Sequence, residues 1–298
     1  MAQNNGKKLV ECTTLDGTKI SALLYTVDGP APAIIMSHGF NCVKEMSLPE
    51  VAEGFQKHGF NVLLYDARSV GASGGQPRNL LNPFQLAEDL SDIYTYVSGL
   101  PSVDPRKVVV WGMSFGGAVT ATCAAVDRRP KAVVLVCPLF HYVKPERADK
   151  AFAQIIKDRV SQLRGNEAYE LPPFNAKGDN PIGMPGGVEG YNLMNAAMDA
   201  GHPTFRGRIS LQTYQKLALF RPKEYVEMIK SPVMMVVPEL DTVSPPEEQR
   251  ETLARVKAPK REYFARGKDH MNVATGEGSK EMVAATVAFF RDALEGNM

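Results

Sequence analysis

The run VVVWGMSFGGAVTATCAAV, residues 108–126, decides the fold. It carries no charge over nineteen residues and breaks once, at Gly112-Met113-Ser114-Phe115-Gly116-Gly117. This is a G-x-S-x-G pattern, in which a strand turns sharply into a helix with serine at the apex. Val108, Val109, Val110 and Trp111 read as a strand buried on both faces, and Ala118, Ala121, Ala124 and Ala125 as the close-packed helix after it. Glycines two positions before and after Ser114 let the turn close without Cβ clashes, so the hydroxyl is presented rather than buried. Nineteen uncharged residues also meet the length of a membrane span. The Gly-Ser turn in mid-run and the valine-rich first part favour strand–turn–helix, and a membrane partner is not expected.

Outward from this run, the chain alternates strand and helix. Residues 8–26 form two β-rich stretches joined at Leu15-Asp16-Gly17, where Asp-Gly signals a hairpin. Strands are expected at residues 33–40 and 60–66, with a helix from Leu48 to His58 stopping at Gly59 between them. Asn82 to Leu100 places Leu86, Leu90, Ile93 and Val97 at helical spacing. Beyond the run, strands are expected at Ala132–Cys137, Pro232–Pro238 and Glu262–Ala265, and helices at Pro246–Val256 and about Lys280–Leu294. Such alternation predicts an α/β fold, a mostly parallel sheet with helices on both faces.

Between Leu139 and Pro222 the pattern changes. A charged helical piece (Pro145–Arg164) leads to Leu171-Pro172-Pro173-Phe174, a Gly/Pro-rich stretch through Gly187, and a helical piece from Leu193 to Ala200, with no buried strand. We read residues 139–222 as a cap insertion in a core formed by residues 1–138 and 223–298. Its apolar residues, among them Phe152, Tyr169, Phe174, Tyr191, Met194, Met198 and Phe205, argue against disorder.

Composition narrows the class. Of 298 residues, 44% are hydrophobic and 22% charged, as in an ordinary globular protein with a sizeable core. Thirty-four basic residues against thirty-three acidic give a formal charge of +1, which argues against a nucleic-acid or anionic-membrane partner. The start, MAQNNGKK, shows no secretory pattern. Cys12, Cys42, Cys123 and Cys137 are scattered without C-x-x-C spacing, against zinc and redox motifs and for free thiols filling apolar positions in a cytoplasmic protein.

A serine hydroxyl needs a base within reach and a third group to orient that base. Five histidines compete: His38, His58, His141, His202 and His270. His270 lies in the loop after the last expected strand, and Asp241 just beyond the strand before it. In a parallel sheet both fall at the carboxyl edge that carries Ser114. Glu239 is the rival acid two residues earlier, and Asp269, adjacent to His270, would point elsewhere. His38 reads as a brace for its own turn, and Asp66 and Arg68 as structural hydrogen-bonding groups at a strand end.

The elbow, the Ser37-His38-Gly39-Phe40 turn, the Asp66-Ala67-Arg68-Ser69-Val70-Gly71-Ala72-Ser73-Gly74-Gly75 loop and the order Ser114, Asp241, His270 together resemble the α/β-hydrolase superfamily over nearly the whole chain. More narrowly the chain resembles the dienelactone-hydrolase-like branch and, within it, fungal hydrolases and acyltransferases of polyketide pathways. Dienelactone hydrolases proper use cysteine where this chain has Ser114, so their substrate does not carry over. The resemblance implies an oxyanion hole made by the backbone N–H groups of Phe40 and Phe115. The expectation is a serine hydrolase of a moderately sized ester or thioester, working through an acyl-enzyme with a small-molecule acyl substrate and no cofactor or metal. An acyltransferase with an alcohol or amine acceptor is the main alternative. Carbon–carbon bond hydrolysis and a catalytically silent binding protein are further ones. A homodimer is left open.

Overall fold

In the computed structural model, which describes residues 6–298, the strands are β1 (Lys7–Thr13), β2 (Lys19–Tyr25), β3 (Ala31–Ser37), β4 (Asn61–Tyr65), β5 (Val103–Met113), β6 (Val133–Val136), β7 (Glu170–Leu171), β8 (Ile209–Ser210), β9 (Val233–Pro238) and β10 (Lys260–Ala265). The helices are α1 (Pro49–Lys57), α2 (Pro83–Ser98), α3 (Phe115–Val126), α4 (Pro145–Leu163), α5 (Gly187–Asp199), α6 (Gln212–Leu219), α7 (Pro246–Arg255) and α8 (Gly276–Glu295). Eight strands form one sheet in the order β1-β2-β4-β3-β5-β6-β9-β10. The pairs β1–β2 and β2–β4 are antiparallel, and every pair from β4 to β10 is parallel. The order reverses between β3 and β5, the kind of switch point at whose carboxyl edge open α/β sheets bind ligands.

Strand β5 shows why the sheet is covered on both sides. Val108 and Val110 join the apolar cluster that holds Leu90 and Ile93 of α2 and Ala118 and Ala121 of α3. Val109 and Trp111 point the other way, into a cluster with Phe55 of α1 and Phe289 and Phe290 of α8. Val108 through Trp111 are each fully buried, and burying one valine side chain stabilises by about 1.5–3 kcal/mol relative to exposure.

Residues 139–222 contain α4, β7, α5, β8 and α6. They have no core of their own: Tyr142, Ile155, Phe174, Met194, Tyr214 and Leu217 share one apolar cluster with Leu86 and Phe115 of the sheet's first face. Some elements of this insertion differ from the sequence expectation. A two-stranded antiparallel ribbon pairs Glu170 with Ser210 and Leu171 with Ile209, and Ile209 is fully buried. A two-residue strand has too few positions to show alternation. Helix α5 begins at Gly187, six residues before the expected Leu193, since its glycine-rich first turn hides the helical pattern. Tyr169 and Met198 are exposed, whereas Phe174, Met194 and Phe205 are buried.

Candidate active site

Strand β5 delivers its chain to the elbow with a backbone that few residues tolerate: Ser114 has φ 55° and ψ −120°. Such strain of roughly 1–3 kcal/mol persists only where the surroundings over-determine it. Here Ser114 donates its N–H to Val136 O at 2.9 Å, and its carbonyl accepts the N–H groups of Ala118 at 3.2 Å and Leu139 at 3.1 Å. The flanking glycines are required by space. A Cβ at Gly112 would overlap Gly116 O and Thr120 Oγ1, and a Cβ at Gly116 would overlap the carbonyl oxygens of Ser37 and His38. The end of β3 therefore lies directly on the first turn of α3.

That contact brings the Ser37–Phe40 turn beside the serine. The His38 imidazole accepts the Gly39 N–H on Nδ1 at 2.7 Å and donates from Nε2 to Met46 O at 2.9 Å, a bracing role. Burial pulls His38 down to about 4, so the ring is neutral at neutral pH. The backbone N–H groups of Phe40 and Phe115 donate to no other group among the described residues. The two aromatic rings meet edge to face, 5.6 Å between centroids.

Two later strand ends complete the site. His270, after β10, is 3% exposed and places Nε2 2.9 Å from Ser114 Oγ. Its Nδ1 lies 3.0 and 2.9 Å from Oδ1 and Oδ2 of Asp241, after β9. Donation from Nδ1–H to the carboxylate leaves Nε2 free to accept from the serine hydroxyl. Asp241 is buried and accepts three more hydrogen bonds: from Val243 N at 2.9 Å, Ser244 N at 2.8 Å and Gln249 Nε2 at 3.2 Å. The sequence reading did not single out these supports. The Asp-x-Val-Ser pattern before a helix is an Asx-turn signal that marks Val243 and Ser244. Gln249, one turn into α7, is recognisable only in three dimensions.

The rival groups lie elsewhere. Glu239 turns away to accept the Gly267 N–H at 2.7 Å, bracing the loop that carries His270. Asp269 accepts the N–H groups of Met271 at 2.9 Å and Asn272 at 2.8 Å. His141 pairs with Glu248 at 2.6 Å. Asp66 is fully buried against Lys44 Nζ at 2.8 Å, and Arg68 bridges Asp89 and Asp16. Among the described residues, Cys137, Asp241 and His270 bring three ligand-type atoms within 4.8 Å of one another. Both imidazole nitrogens are already engaged, and the Cys137 thiol, pushed far up by burial, faces His270 O. All four cysteines are free and buried, and burial pushes the Cys42 thiol, which borders the cavity, up to about 12.

Ser114 and His270 open into a cavity of about 240 Å³. Its wall is mostly apolar, formed by Phe40, Leu139, Phe174, Leu193, Met194 and Val243. Residues 139–222 thus supply one side of it, and the loops at the carboxyl edge of the sheet the other. No helix among the described residues is long and apolar enough to cross a membrane.

A parallel sheet with a serine elbow, and a histidine and an acid at later strand ends, is the architecture of the α/β hydrolases, and this chain is an enzyme of that class. The model of the family described as serine aminopeptidase, S33 matches residues 28–271, and the chain belongs to that family. It is 38% identical over 285 residues to a thiohydrolase of Eupenicillium brefeldianum, covering 94% of this chain and 92% of that one. It is 36% identical over 289 residues to the polyketide transferase af380 of Aspergillus fumigatus, covering 96% and 98%. Among solved structures, that of DcsB in complex with its substrate analogue superposes with a TM-score of 0.93 at 55% identity, over 97% of this chain and 99% of that one.

Proposed function

We propose that this protein is a serine hydrolase that takes the acyl group of an ester or thioester onto Ser114, in a fungal polyketide-type pathway. The observation that carries this is His270 Nε2 standing 2.9 Å from Ser114 Oγ, with Asp241 behind the ring and an apolar cavity in front. His270 takes the hydroxyl proton as Oγ bonds to the acyl carbon, and the Phe40 and Phe115 N–H groups receive the oxyanion. The carbon–oxygen or carbon–sulfur bond then breaks, and the leaving alcohol or thiol takes the proton from His270. In the second half, water loses a proton to His270 as its oxygen bonds to the acyl carbon; the bond from that carbon to Ser114 Oγ then breaks, Oγ takes the proton back from His270, and the acid leaves.

Names of relatives support a thioester donor and a polyketide-type acyl group, since they include a thiohydrolase and polyketide transferases. The narrower dienelactone-hydrolase-like placement rests on the elbow and loop motifs alone. A mostly apolar cavity of about 240 Å³ suits an acyl group of moderate size. The transferase names favour a second reading, in which an alcohol or amine replaces water as acceptor. Incubation with an acyl thioester in water, with and without added alcohol, tests both. Free acid as the main product supports hydrolysis, exclusive ester makes the protein a transferase, and an untouched thioester refutes the proposal.

A further inference from the structure

We infer that Phe174 sets the length of acyl group the cavity admits, and that it can do so because Gly186 and Gly190 leave a slot for its ring in the wall of α5. This rests on the acyl-enzyme reading above. Phe174 follows β7 and is 5% exposed, and with both glycines it lines the cavity in front of Ser114. A Cβ at Gly186 would overlap Phe174 Cζ and Cε1, while one at Gly190 would lie 2.9 Å from Cε2 and 3.0 Å from Cδ2. Carbon atoms rest at about 3.5–4.0 Å. The ring therefore lies on bare helix backbone. On another side it meets Phe40 at 6.3 Å between centroids and 67° between planes, so it is held between α5 and the turn beside Ser114. Its own backbone is anchored just before it, where the buried Tyr214 donates its hydroxyl to Pro173 O at 2.8 Å.

Gly190 sits inside a thirteen-residue helix, where alanine is the better helix former. Glycine there works against the helix and for the ring. An added methyl at this position has one effect that helix propensity does not predict: it drives the ring off α5 toward Phe40 and the cavity. Removing the ring has the opposite effect and extends the cavity toward α5.

The test is a cycle of wild type, Phe174→Ala, Gly190→Ala and the double variant, assayed with 4-nitrophenyl butanoate, octanoate and dodecanoate, with melting curves confirming each fold. Phe174→Ala should raise the dodecanoate-to-butanoate ratio of kcat/KM about tenfold or more, and Gly190→Ala should lower the octanoate-to-butanoate ratio by a similar factor. In the double variant both ratios should match those of Phe174→Ala within about twofold, because the ring that the methyl displaces is gone. Ratios within about twofold of wild type in either single variant would overturn the slot, as would a Gly190→Ala effect that survives loss of the ring. Fluorophosphonate labelling of wild type keeps the two readings apart. If Ser114 is not labelled, the acyl-enzyme reading falls, and the slot is then read from thermal shifts with butanoic, octanoic and dodecanoic acids in the same four proteins. The same order of chain preference supports it, and an indifferent order refutes it.

Discussion

Gln249 donates from Nε2 to Asp241 Oδ2 at 3.2 Å and to the carbonyl of Ser244 at 2.5 Å, so one buried amide ties the acid of the site to the start of α7. Asp241 is therefore held on both oxygens before the imidazole reaches it.

Gln249→Leu keeps the volume and removes the donor. Because Gln249 acts through Asp241, kcat should fall by about ten- to a hundredfold with KM little changed, the size expected when a reacting group shifts by less than about 1 Å. Steady-state kinetics check this; an unchanged kcat would assign Gln249 to packing alone.

Asp241→Asn should lower kcat by on the order of 10⁴, through loss of the tautomer that presents Nε2 to Ser114. Glu239→Gln should leave kcat within a few-fold, since its carboxylate holds the Gly267 amide and not the imidazole. A larger loss in the Glu239 variant would move the acid to the other side chain.

The elbow and the order of its partners were legible because they are local. Ser114 sits between two glycines at fixed spacing, and Asp241 and His270 each follow a recognisable strand. The sheet followed from β5, whose valines alternate between two covered faces. What stayed hidden depends on distant contacts. The β7–β8 ribbon joins Glu170 to Ser210 across about half of the insertion, and α6 is only eight residues long and packs on α4. No periodicity reveals that Gly190 is a seat for Phe174.

Lys44 is 1% exposed, with Nζ 2.8 Å from the buried Asp66 and 2.9 Å from Glu45. Burial would lower its pKa and raises that of Asp66, while the carboxylates beside Lys44 raise the ammonium above its usual value. Lys44→Met leaves Asp66 with the N–H groups of residues 44 and 72 but without its buried countercharge, and should cost about 3–5 kcal/mol in denaturant unfolding. A loss below about 1 kcal/mol would mean that the pair is not what holds this loop.

His38 gives the stability a pH dependence. Burial holds it at about 4 in the folded state, against about 6.5 in the unfolded chain. Between these values the unfolded chain binds more protons, so this contribution is whole above about pH 6.5 and is lost as the pH falls toward 4. Over that window the melting temperature of His38→Asn should fall less steeply than that of wild type. Parallel slopes would contradict this.

The proposed chemistry depends above all on Ser114 as the nucleophile. Intact-protein mass spectrometry after fluorophosphonate treatment, with the adduct mapped by peptide, tests this most directly. A single adduct on Ser114 is expected, absent in folded Ser114→Ala and slowed in Asp241→Asn. An unmodified native protein, or an adduct on another residue, would contradict it.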